Sequence, residues 1–176
     1  MMQQLKNSRA IVVMGVCGSG KSHIGRLLAA QLGARFIEGD DFHPVENVRK
    51  MAAGQALDDA DRAGWLGALA DALRSAAQAG EAVVLSCSAL KRSYRQVLAT
   101  GAPFQLVVLH GSRALLFERV SARASHFMPA SLLDSQLATL ELPGSEETAI
   151  QIDIAPPAEQ IVAGLCAQLG HAAATI

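Results

Sequence analysis

Residues 15–22 read Gly-Val-Cys-Gly-Ser-Gly-Lys-Ser, which fits GxxxxGK[ST] without a mismatch. Glycines at these spacings let a backbone wrap around phosphate with its N–H groups pointing inward. A helix starting at the lysine adds a favourable field for negative charge. The pattern predicts a nucleotide site in which Gly15, Gly18, Ser19 and Gly20 cradle phosphate. Lys21 reaches the β- and γ-phosphates of ATP, and Ser22 ligates Mg²⁺. Cys17 fills a variable position of the loop as a small residue that fits, not as a redox thiol.

Two further clusters carry usable chemistry. The first is Glu38-Gly-Asp40-Asp41-Phe42-His43-Pro44 and the second is Ser86-Cys87-Ser88-Ala89-Leu90-Lys91. Asp40 is the candidate base for a substrate hydroxyl, and Glu38 is a candidate holder of a magnesium-bound water. His43, before a proline, serves either as a cap or as a substrate contact; no second His or Cys stands at metal-ligand spacing from it. Arg49, Lys50, Lys91, Arg92 and Arg95 place cations on two loops, which suits an anionic acceptor such as a carboxylate, or else a solvated helix face. Arg119 and Arg123 lie four apart, leading into the irregular stretch 124–129. That pair is either an arginine-bearing lid that closes over ATP and excludes water or a surface pair.

The elements that must position these groups alternate in type. Ala10–Val16 is a continuous apolar run, as expected of a strand buried on both faces. Lys21–Leu32 has apolar residues at helical spacing and Gly33 to end it. Further strands are expected at Arg35–Glu38, Ala82–Cys87, Phe104–Leu109 and Thr148–Ile154. Helices are expected with Pro44 in a first turn, after Asp58, Asp59 and Asp61, at Arg92–Ala99, at Ser112–Arg123, from Pro129 to about Leu140, and at Pro157–Leu169. Strands alternating with helices predict a three-layer α/β fold with a parallel sheet covered on both faces, and chemistry at the carboxyl ends of its strands.

Composition limits the alternatives. A chain of 176 residues suits a single domain, here 1–176 with a lid segment at about 123–140, and no linker divides it. The net charge of −1, without a basic run, argues against a nucleic-acid or membrane-surface partner. Three widely spaced cysteines predict a reduced, cytoplasmic protein without a disulfide framework. The polar MMQQLKNSR start and the short apolar run after it are unlike a secretory leader or a membrane span.

Five blocks in order give the chain a family resemblance. They are Met14–Ser22; Gly39–Pro44 with Asn47 and Lys50-Met51; Leu57–Arg62 with Trp65-Leu66; Cys87–Lys91 with Tyr94-Arg95; and His126–Pro129 with Leu132-Leu133, Ser135-Gln136 and Thr139–Glu141. On these residues the chain resembles the gluconate kinase family from Ile11 to about Ile154. The resemblance implies a P-loop, nucleoside-monophosphate-kinase-like fold with five parallel strands ordered 2-3-1-4-5. It also implies ATP-dependent phosphorylation of D-gluconate at its 6-hydroxyl, and a homodimer. Asp40 then takes the place of the catalytic aspartate, with His43 and Lys50 in the acceptor pocket and Ser88, Lys91 and Arg95 in a block facing it. Arg119 packs on adenine, and Arg123 is the lid arginine that meets phosphate. The Asp58–Arg62 block lies where related kinases bind the acceptor, or merely caps and orients the long helix. Ser125 stands where the family often has glycine, and Asp41 where other members carry an apolar residue.

Two rival readings are less favoured by the residues. A shikimate or nucleoside monophosphate kinase fits the phosphate loop but not the Gly39–Pro44 and Cys87–Lys91 blocks. A nucleotide-dependent switch lacks both an NKxD-type guanine-reading motif and a strand ending in an apolar run plus Asp.

Overall fold

A computed structural model of the chain describes residues 9–122 and 131–173. Five parallel strands form one sheet: β1 (Ala10–Met14), β2 (Arg35–Glu38), β3 (Val83–Ser86), β4 (Gln105–His110) and β5 (Ala149–Asp153). Their order is β2-β3-β1-β4-β5, the 2-3-1-4-5 order expected. The helices are α1 (Lys21–Leu32), α2 (Val45–Ala52), α3 (Asp59–Gln78), α4 (Arg92–Ala99), α5 (Arg113–Ala122), α6 (Ser131–Thr139) and α7 (Ala158–Ala173).

The sheet is central because its middle strands are apolar throughout. Every side chain of β1 and of β3 is buried, so helices cover both faces. Helix α1 packs against α7, and α3 against α4. Leu28, Leu69, Leu73, Val84, Leu85, Val107 and Leu165 have no measurable exposure and belong to one continuous core.

Most differences from the expected boundaries have local causes. The first strand stops at Met14 because Gly15 turns the chain out of the sheet, although Val16 and Cys17 stay buried. Pro44 stands one position before the first turn of α2, at its N-cap. Gly39–Phe42 forms a short 3-10 helix between β2 and α2. Asp58 caps α3 with a reciprocal box, its carboxylate accepting from the Asp61 amide while Asp61 accepts from its own. The expected starting proline of α6, Pro129, lies outside the described residues. The rest of that helix is docked, with Leu132 and Leu133 buried.

Candidate active site

The phosphate loop leaves β1 and enters α1 through Gly20, which holds a left-handed conformation (φ 85°) and supplies no side-chain cap. The first N–H groups of α1 are therefore left for an anion. Gly18 needs its hydrogen side chain: its φ is 80°, and a Cβ there would lie 2.8 Å from the carbonyl oxygen of Leu116. Lys21 folds back onto its own loop, its Nζ 3.2 Å from the Val16 carbonyl oxygen. The Ser19 hydroxyl is buried and has no partner among the described residues.

Behind the loop, α1, β2 and β3 contribute the oxygen-bearing side chains Ser22, Glu38 and Ser86. The Ser22 and Ser86 hydroxyls are 3.5 Å apart, and Glu38 pairs with Ser86 across the β2–β3 register. One carboxylate oxygen of Glu38 meets Arg26 at 3.4 Å, while the other is buried without a partner among the described residues. Hard oxygen donors, one of them orphaned, fit Mg²⁺ carried in with a nucleotide. They do not build a closed protein cage, and no cluster of three His, Cys, Asp or Glu suited to a metal occurs among the described residues.

Beside the loop opens a cavity of about 320 Å³. Lys21, Asp40, His43 and Ser88 line it together, with Asp41, Arg62, Trp65 and Gln136. The 3-10 turn after β2 presents Asp40, whose side chain is 70% exposed, and β3 leads into Ser88. The turn can sit this close to the sheet because Gly39 has no side chain; a Cβ there would be 2.2 Å from the Ser86 carbonyl oxygen.

His43 stacks on Trp65, with ring centroids 4.1 Å apart, and Trp65 Nε1 donates to the Gly39 carbonyl at 2.7 Å. Asn47 Nδ2 lies 3.4 Å from His43 Nδ1 and 2.7 Å from the Asp61 carbonyl oxygen. With the Asn47 amide donating, the imidazole proton is on Nε2, which faces the Asp40 carboxylate at 4.0 Å. Burial pushes the His43 pKa down, Asp40 opposes this, and Arg62 adds to it. The ring is therefore a neutral Nε2–H donor at pH 7. Cys87 has its pKa pushed up to about 12, chiefly by burial, and is an inert thiol.

The structure gathers some expected acceptor residues and sets others apart. Arg95 is 2% exposed and is not among the residues lining the cavity. Its guanidinium grips Glu147 through two hydrogen bonds, of 2.6 and 2.8 Å, and donates to the carbonyls of Ala89 and Glu141. It acts as a brace, because these bonds engage all three of its nitrogens and it does not line the cavity. Lys50 is held by Asp61 at 2.7 Å and Lys91 by Asp59 at 2.7 Å, and neither lines the cavity. These hydrogen bonds lower the pKa of both carboxylates and raise that of both lysines. Arg119 donates to the Ile154 carbonyl at 2.9 Å, beside the end of β5. Arg123 and His126 lie outside the described residues.

Several lining residues are not singled out individually by sequence, among them Arg62, Trp65 and Gln136. Trp65 reads as core stripe, and it is core on one side only. Gln136 Oε1 accepts from the Cys17 amide of the phosphate loop at 2.7 Å, tying α6 to that loop. Arg62 carries a legible signal, because it shares the buried face of α3 with Trp65, Leu66, Leu69 and Leu73 at helical spacing. A cation on an apolar stripe has been placed indoors for a reason. Among the described residues its Nε and Nη1 are buried without a hydrogen-bond partner.

A phosphate loop opening a helix, a parallel sheet of this order and an acceptor cavity beside the loop together define a P-loop kinase. A family model described as an AAA domain matches residues 11–143. The chain is 52% identical to the gluconokinase of Gluconobacter oxydans over 145 residues, covering 82% of each protein. A gluconokinase structure from Sinorhizobium meliloti superposes with a TM-score of 0.84 at 50% identity, over 93% of both chains. An unliganded sugar kinase from Janibacter gives a TM-score of 0.89 at 44% identity, over 95% of this chain and 97% of that one. The chain belongs to the gluconokinase family.

Proposed function

We propose that this protein transfers the γ-phosphoryl group of ATP to the 6-hydroxyl of D-gluconate, giving 6-phospho-D-gluconate and ADP. The observation that carries this reading is that Lys21, Asp40, His43 and Ser88 line one cavity beside the phosphate loop. A phosphate-facing lysine, a solvent-facing carboxylate and hydrogen-bonding groups within one concavity are what transfer to a polyhydroxylated acceptor needs.

The acceptor hydroxyl lies against Asp40, which takes its proton as the bond from O6 to the γ-phosphorus forms and the bond to the ADP oxygen breaks. His43, neutral, presents its Nε2–H to the same cavity, 4.0 Å from the Asp40 carboxylate. Lys21 leaves the Val16 carbonyl for the phosphates and spreads the negative charge of the transferring group. When bound, Mg²⁺ neutralises phosphate charge, with Ser22 as its protein ligand and Glu38 and Ser86 placed to hold its waters. By family resemblance Arg123 adds positive charge from the lid and Arg119 packs on adenine.

The chain is read as one kinase domain acting in the cytoplasm as a homodimer on a small sugar acid. Cys87 and Cys166 are free thiols, in keeping with a reducing compartment. Among the described residues no helix is long and apolar enough to cross a membrane. Light scattering on the eluted protein tests the dimer.

ADP release with MgATP, measured with D-gluconate, shikimate or AMP as acceptor, tests the reaction. Stimulation by gluconate alone is expected. Turnover on another acceptor, with none on gluconate, would keep the phosphate site and discard the acceptor assignment.

A further inference from the structure

Three of the cations that could have met an anionic acceptor are spent on this chain's own carboxylates: Lys50 on Asp61, Lys91 on Asp59 and Arg95 on Glu147. Lys21 belongs to the phosphates. One more cation lines the cavity, and its situation is unlike theirs. Arg62 is 8% exposed, and its Nε and Nη1 are buried without a partner among the described residues. It sits in the first turn of α3, where the helix field disfavours a cation. The carboxylates of that same turn are occupied: Asp58 and Asp61 by the capping box and Lys50, Asp59 by Lys91 and the Tyr94 hydroxyl. What Arg62 touches instead is the face of the Tyr94 ring, 5.4 Å from its centroid, which holds a guanidinium without using its N–H groups. Such an arrangement is unfavourable until an anion arrives and is pre-organised for one.

We propose that Arg62 is the residue that binds the carboxylate of the acceptor. Its unpartnered N–H groups donate to the carboxylate oxygens inside the cavity, while the hydroxyl end of the same molecule reaches Asp40 beside the phosphate loop. Arg62 thereby fixes which end of the sugar acid faces the phosphate and makes the enzyme select acids over uncharged polyols of the same length. The inference rests on the gluconate reading above and adds to it the group that reads the acid.

The test compares D-gluconate with D-gluconamide, which keeps every hydroxyl and lacks the charge. In the wild-type protein, gluconate is expected to exceed gluconamide at least about 100-fold in kcat/KM. Arg62→Gln is expected to lose about 100- to 1,000-fold on gluconate and at least about 10-fold less than that on gluconamide, so that the preference collapses. Arg62→Lys keeps the charge without the planar fork and falls between the two. A loss of the same size on both acceptors, or an undiminished preference for gluconate, overturns the proposal while leaving gluconate as the substrate.

Thermal shifts of the wild-type protein give an answer that needs no variant and no turnover. Gluconate is expected to raise Tm at far lower concentration than gluconamide, and equal potency overturns the assignment of Arg62. Absence of both turnover and binding with gluconate in the wild-type protein overturns the acceptor reading itself, and this inference with it.

Discussion

At the scale of single residues, the proposed reaction sets Lys21 against phosphate and Asp40 against the acceptor, so their loss belongs in kcat. Asp40→Asn keeps shape and hydrogen bonding but cannot accept a proton, so kcat is expected to fall about 100- to 10,000-fold. Lys21→Ala removes the charge that follows the γ-phosphate and is expected to fall at least as far. Near-normal turnover of Asp40→Asn at saturating substrate would remove it as the base. His43 adds a pH dependence whose sign follows from its lowered pKa. The unfolded chain takes up this proton near the ordinary value of 6.5, while the folded protein resists until a lower pH. Stability is therefore flat above that value and falls as pH drops below it. Urea midpoints between pH 7.5 and 5 should show this slope, and His43→Asn should flatten it. The lowered carboxylates of Asp59, Asp61, Asp134 and Glu147 act at more acid pH, below their ordinary 3.8 to 4.5, so they leave this window clear.

At the scale of elements, the long helix α3 organises the site. Its capping box sets where the helix starts, its first turn aims Arg62, and Trp65 one turn later supports His43 while binding the Gly39 carbonyl. Helix α4 has a different duty. Arg95 ties it to the segment around Glu141 and Glu147. Arg95→Ala is expected to destabilise the fold by about 3–5 kcal/mol, since it strands a carboxylate and two carbonyls. The folded fraction should keep its KM for gluconate within a few-fold. Denaturant melts beside kinetics separate the two effects, and a large rise in KM at full stability would return Arg95 to the acceptor site. Lys91→Ala, at an exposed pair outside the cavity wall, is expected to change both quantities little.

At the scale of the molecule, the sheet keeps two binding sites adjacent but separable. The phosphate loop follows β1, the acceptor groups follow β2 and β3, and the register between these strands holds them side by side. Each ligand should stabilise the native state through its own contacts. At about 100 times its dissociation constant, either ligand is expected to add about 2.7 kcal/mol and raise Tm by roughly 5–10 °C. Lys21→Ala should largely abolish the shift with MgATP and preserve the shift with gluconate. Loss of both shifts would mean that the acceptor cavity depends on this lysine for its shape.

The sequence by itself determined the alternation of strands and helices, the phosphate loop with its surrounding elements, and the Asp40–His43 turn as a candidate wall of the site beside that loop. These are local properties: apolar periodicity, glycine where the backbone needs positive φ, and residue types set a fixed number of positions apart. It left the cations unsorted, because a guanidinium looks the same in one dimension whether it faces a substrate or a glutamate far along the chain. Tertiary structure decided that Arg95 belongs to Glu147, Lys50 to Asp61 and Lys91 to Asp59, and that Arg62 has no hydrogen-bonded carboxylate among the described residues. The physical reason is that a charge's role is set by which opposite charge the fold brings within about 3 Å of it, and that pairing is a property of packing, not of sequence spacing.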